Sequence, residues 1–161
     1  MISTLTLPPG SGPRHLVFSP DGNTLYVADE LDSTAASFVR EGPGKTWRLG
    51  KVRSTLPDDA DKKGNYPGAI KITVDGRFFF VANRGNDSVA VFATSGGGDF
   101  RLVHTVPSGG EYPSDLLLLN DDRLLVVGHQ KSGGVTSFEH ENGKLTPSVT
   151  YSVPKCAALC E

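Results

Sequence analysis

Long apolar runs are missing from this 161-residue sequence; the longest, 78–82 and 116–119, are strand-sized. They fall far short of the roughly 18 residues needed to cross a bilayer, so no membrane span is expected. An excess of one charge is missing too. Sixteen Lys and Arg against 18 Asp and Glu leave a net −2, which gives no general pull towards nucleic acid or an acidic membrane surface. Cysteine is scarce: Cys156 and Cys160 stand four apart near the C-terminus. They form no disulfide framework, no second Cys/His pair completes a zinc site, and free thiols in a reducing cytosol are expected. The start, MISTLTLPPG, has neither a basic n-region nor an apolar h-region. No signal peptide is therefore expected, and a cytoplasmic location is. No segment sustains the i, i+3, i+4, i+7 apolar pattern of a long helix. G-x-G-x-x-G and G-x-S-x-G motifs are absent, and Gly42-Pro43-Gly44-Lys45-Thr46 lacks the first Gly and the strand-to-helix context of a phosphate loop. No cofactor and no metal are expected.

What is present is turn chemistry and repetition. Gly (19) and Pro (11) make up close to a fifth of the chain, the composition of many turns. Aligning the prolines at 13, 67 and 113 keeps the following 25 residues in register without a gap. Phe18, Ile72 and Leu118 coincide, as do Asp21, Asp75 and Asp121, then Val27, Val81 and Val127, then Phe38, Phe92 and Phe138. The spacings of 54 and 46 residues match the blade-sized repeats of propellers.

Each unit reads as four short strands: 15–19, 24–28, 34–39 and 47–54; then 69–74, 78–83, 88–93 and 100–107; then 115–119, 123–128, 135–139 and 145–153. Asp21-Gly22 and Asp75-Gly76 mark tight hairpins, because Gly accepts the positive φ such turns demand. Asn120-Asp121-Asp122 takes that place in the third unit. The fold class is therefore all-β: a β-propeller of about three four-stranded antiparallel blades (13–56, 67–107 and 113–153) in one partial domain. Residues 1–12 read as the outer strand of a preceding blade, and 154–161 as the first strand of a following one. Closed propellers hold four to eight blades. Open edges here call for further blades or self-association. Segment 57–65, PDDADKKGN, reads as a polar, solvated insertion that lengthens the first repeat.

Antiparallel pairing carries a functional expectation. The first strand leaves one rim, turns, and the second returns to it. Residues before the first strand and after the second are thus neighbours: Arg14, His15, Asp29 and Glu30; Gly68, Asn83 and Arg84; Ser114, Asp115, His129 and Gln130. Glu30, Arg84 and Gln130 share one repeat position. Arg14 and Arg84 suit a carboxylate or phosphate and an oxyanion. Glu30 or His15 suits general acid–base work. Solvated strand ends remain the other reading of the same residues. His104 and His140, on outer strands or turns, read as structural.

Gly12-Pro13-Arg14-His15, then Phe18-Ser19-Pro20-Asp21-Gly22 and Glu30-Leu31-Asp32-Ser33-Thr34, resemble the lactonase family of seven-bladed propellers. So do Asn83-Arg84-Gly85 with Asp87-Ser88-Val89, and Ser152-Val153-Pro154-Lys155-Cys156. The family includes propeller-type 6-phosphogluconolactonases and carboxy-cis,cis-muconate cyclases, and the resemblance covers its C-terminal half. It implies a lactonase-like hydrolase of a sugar-acid lactone. The alternatives are a muconate-type cycloisomerase and a non-catalytic scaffold binding a partner or small acid. It implies a catalytic set of Glu30, His15, Arg14 and Arg84. Arg14, Arg84, Asn83, Asp115, His129 and Gln130 are expected to bind the acidic or lactone substrate. Two departures stand out: the family also uses a histidine from an earlier blade, and its frequent Pro-Arg-Asp is Pro113-Ser114-Asp115 here.

Overall fold

The structure is a computed structural model that describes residues 4–42 and 46–152, and every regular element in it is a β-strand. The first blade holds β1 (Pro13–Phe18), β2 (Thr24–Asp29), β3 (Thr34–Glu41) and β4 (Thr46–Ser54). The second holds β5 (Tyr66–Ile72), β6 (Phe78–Arg84), β7 (Ser88–Gly96) and β8 (Asp99–Pro107). The third holds β9 (Pro113–Leu119), β10 (Leu124–His129), β11 (Val135–Glu141) and β12 (Lys144–Tyr151). Each blade is one antiparallel sheet with its strands in chain order.

The hairpins form where the turn residues stand. Gly22 (φ 68°) and Gly76 (φ 71°) close the first two, and their N–H groups donate to Ser19 O and Thr73 O. In the third blade Asn120, Asp121 and Asp122 all take left-handed φ, at 54°, 52° and 65°. Asn and Asp tolerate that region better than other residues with a Cβ.

The inner strands begin at or before their prolines, two to three residues earlier than the apolar pattern indicates. Proline is admissible there because β1, β5 and β9 are edge strands, where a missing N–H breaks no ladder.

Period-two alternation decides what each blade buries. Phe79 faces blade one and joins Tyr26, Phe92, Phe100 and Ile70. Its neighbour Phe80 faces blade three and joins Leu116, Leu125, Val127 and Phe138. The middle blade is thus dry on both faces, which its near-continuous apolar strands require. Outside this stack, Leu16 (57% exposed) and Phe18 (50%) lie on the face of blade one turned away from blade two.

Residues 4–8 are not in a strand, and among the described residues no strand pairs with them. Leu5 and Leu7 nevertheless pack on Leu25, Val27 and Phe38. The final-strand assignment, 154–161, lies outside the described residues. Among the described residues no helix is long and apolar enough to cross a membrane.

Candidate functional site

Every blade carries the same irregularity where its inner strand starts. The β1–β2 register slips between Pro13 and His15, and that of β5–β6 between Pro67 and Ile70. In β9–β10 it slips between the pairs Gly128–Asp115 and His129–Pro113. One extra residue on the inner strand is a β-bulge, which re-aims a side chain at the rim. The residues one step after the prolines are Arg14, Gly68 and Ser114.

The bulge of blade one brings Arg14 to the mouth between blades one and two. Glu30, just beyond β2, joins two arginines there. Its Oε1 accepts from Arg84 Nη2 at 2.7 Å, and its Oε2 lies 3.8 Å from Arg14 Nε. Arg84 is 7% exposed and held on a second side, where its Nε donates to Tyr66 O at 2.9 Å. Its guanidinium also lies 5.5 Å from the centre of the Tyr112 ring. Gly68 makes room for this. A Cβ there would stand 3.0 Å from Arg84 Nε and 3.3 Å from Arg14 Nη1. His15 completes the group, with Arg14 Nη1 3.2 Å from its Nε2 and 3.4 Å from its Nδ1. Near-equal distances set the guanidinium against the flat of the imidazole. Partial burial, then the Arg14 charge, hold the His15 pKa below 6.5; Asp115 and Glu30 pull the other way. His15 is therefore a neutral base at neutral pH.

The other expected contacts divide. Asp115 is near enough for its charge to act on His15, while its Oδ1 accepts from Leu116 N. Gln130 is exposed at the rim, its N–H donating to Tyr112 O at 3.0 Å. Asn83 and His129 do not reach the mouth. Asn83 is fully buried, and its Nδ2 donates to Thr55 O (3.0 Å) and to Ser88 Oγ (3.1 Å). His129 is 1% exposed, with Nε2 3.0 Å from Ser108 O. Burial lowers its pKa, so Nε2 carries its hydrogen and donates. Thr55 and Ser108 each follow the outer strand of the preceding blade. A carbonyl buried at that joint needs a donor, which explains why these two side chains turn inwards. Both are thereby engaged at the joints between blades. Asp29 holds the same repeat position in blade one and is fully buried with Oδ1 unpartnered.

The insertion 57–65 is exposed over most of its length and anchored at its end. Asn65 is buried and bonded to Ser33, and the loop foot delivers the Tyr66 carbonyl to Arg84. Among the described residues no three His, Cys, Asp or Glu side chains are grouped to hold a metal ion.

Comparison with known proteins fits this architecture. The family model described as lactonase, 7-bladed β-propeller, matches residues 2–160. The chain belongs to that family. Within this lactonase family, the 6-phosphogluconolactonase of Bacillus subtilis is 37% identical over 151 residues, 91% of this chain and 43% of that protein. A solved protein from Lactobacillus plantarum superposes with a TM-score of 0.89 at 33% identity, over 96% of this chain and 46% of that one. The periplasmic gluconolactonase of Pseudomonas aeruginosa gives 0.86 at 30% identity, over 94% and 42%. The chain therefore spans less than half the length of each of these three proteins.

Two contributors lie outside the motifs. Tyr112 lies beside a residue picked out by its repeat position, and the Tyr66 carbonyl is backbone, which carries no sequence signal. The repeat alignment offered a partial one: Tyr66 and Tyr112 each precede a repeat proline.

Proposed function

We propose that these blades form the catalytic mouth of a lactonase acting on a sugar-acid lactone such as 6-phosphogluconolactone. The observation that carries the reading is Glu30 joining Arg84 and Arg14 across two blades beside a neutral imidazole. Family membership and the names of the B. subtilis and P. aeruginosa relatives support the substrate class.

In this reading His15, rather than Glu30, is the base. Glu30 is committed to its guanidinium partners, whereas His15 keeps an in-plane lone pair. His15 takes a proton from water as the water oxygen attacks the lactone carbonyl carbon. The carbonyl becomes an oxyanion, stabilised by Arg84. Arg84 is fixed beforehand by Glu30 and Tyr66 O, so little reorganisation accompanies the charge. The tetrahedral intermediate then expels the ring oxygen, which recovers the proton from the imidazolium and leaves as an alcohol. Arg14, more open to solvent, holds an anionic or carbonyl oxygen of the substrate. A phosphorylated substrate would place the reaction in the cytoplasm, since a phosphate ester does not cross a bilayer unaided.

Lactone hydrolysis followed by base uptake tests this. His15→Asn is expected to lower kcat/KM by about 10²-fold, the usual contribution of a general base. In the parent, kcat/KM should rise with pH to a plateau with a midpoint below 6.5, following the depressed His15 pKa. A rate that survives His15→Asn unchanged removes the base. Turnover of carboxymuconate without turnover of gluconolactones would assign the mouth to cycloisomerisation instead.

A further inference from the structure

Blade three repeats a backbone feature of blade one with different side chains on it. In blade one, Glu30 N donates to Gly12 O (2.8 Å) and Leu31 N to Ser11 O (3.0 Å). In blade three, Gln130 N donates to Tyr112 O (3.0 Å) and Lys131 N to Glu111 O (3.3 Å). Gly12 and Tyr112 are thus equivalent, and both have left-handed φ, 68° and 61°. For Gly this is free. For a bulky aromatic residue it is an outlier costing on the order of 1–3 kcal/mol. The strain is held in place from both sides, since the Tyr112 N–H donates to Asp87 Oδ1 at 2.7 Å and its carbonyl accepts from Gln130.

The strained backbone holds one ring within reach of two cations. Arg84 lies 5.5 Å from the ring centre, and Lys131 Nζ lies 4.2 Å from it. In blade one the equivalent pair is apolar: a Cβ on Gly12 would sit 2.5 Å from Leu31 Cγ. Arg84 is ion-paired with Glu30. Lys131 has no ion-pair partner among the described residues. An aromatic ring attracts an ammonium without supplying a formal negative charge. Lys131 is thus placed beside the mouth with its charge unspent.

We infer that Lys131, positioned by Tyr112, is a second anion subsite that selects substrates carrying a phosphate monoester remote from the lactone carbonyl. The inference rests on the lactonase reading for its substrate class. Arg14 and Arg84 serve the reacting end, Lys131 reads the far end, and Tyr112 is a positioning residue.

The probes are 6-phosphogluconate and gluconate, product-like acids that differ only in the phosphate, titrated into the chain by calorimetry. The parent is expected to prefer the phosphorylated acid, and Lys131→Met to reduce that preference at least tenfold. Tyr112→Gly should reduce it as well without lowering the melting temperature, because Gly accepts the left-handed φ. A preference unchanged in Lys131→Met, or no preference in the parent, overturns the subsite. A Lys131-dependent preference in a protein that hydrolyses no lactone would instead overturn the catalytic reading and leave the subsite standing.

Discussion

Asp29→Asn should make the protein more stable at pH 8 and remove a pH dependence that the native chain carries. Asp29 is fully buried, its Oδ1 has no partner, and its Oδ2 has only Thr34 Oγ1 at 3.2 Å, a hydroxyl it shares with Asp32 Oδ1 at 2.6 Å. Burial first, and the Asp32 charge second, push its pKa from 3.8 up to about 7, against the Thr34 hydrogen bond. Because the folded pKa is raised, the native state keeps a proton that the unfolded chain has already lost. The stabilisation is therefore fully present below about pH 4, declines as pH rises, and is gone once pH has passed through about 7. A shift of about three units at about 1.4 kcal/mol each puts the amplitude on the order of 4 kcal/mol. Asparagine carries no charge and brings an amide donor, as Asn83 does at the equivalent place in blade two. Urea unfolding followed by Trp47 fluorescence, at pH 5 and pH 8, reads the effect. The depressed pKa of His129 works in the opposite direction below 6.5. The quantity to compare is therefore variant minus parent at each pH. We expect a gain of at least about 1 kcal/mol at pH 8 and a smaller one at pH 5. A variant less stable than the parent at pH 8, or a difference that does not change with pH, would refute the reasoning.

Two further outcomes follow from the packing. Gly68→Ala places a methyl against Arg84 and Arg14, so binding of 6-phosphogluconate should weaken about tenfold while the unfolding free energy in urea stays within about 0.5 kcal/mol of the parent. Phe79→Ala removes a ring stacked on Phe92 at 4.6 Å and lying 4.7 Å from Tyr26. It should cost about 3–5 kcal/mol in urea unfolding, because the cavity opens at the junction of two blades.

The blades were legible because each level of the sequence repeats the same instruction. Proline, the turn at +8 and the apolar alternation recur in phase, and each constrains a different part of the hairpin. The rim followed from pairing direction alone. The bulges did not, since a register slip of one residue leaves no mark in a pattern of apolar positions. They decide which rim side chains reach the mouth: Arg14 does, while Ser114 has a buried, unpartnered Oγ. The burial of Asn83 and His129 is hidden in the sequence for a related reason. A polar residue at a strand end looks the same in sequence whether it meets solvent or a neighbouring carbonyl. Only the approach of Thr55 O and Ser108 O separates the cases. The unpaired run 4–8 shows a third limit, since apolar alternation states a capacity for a ladder and the partner decides whether one forms.

The bulge after each proline has a consequence for how such a protein can change. The extra residue lies outside both the ladder and the apolar clusters, so its identity is limited by the room its neighbours leave, as at Gly68, and not by what keeps the sheets together. Arginine, glycine and serine occupy it in three successive units of one chain. A lineage can therefore exchange the chemistry presented at the opening one position at a time, unit by unit, while the buried phenylalanines behind it remain as they were.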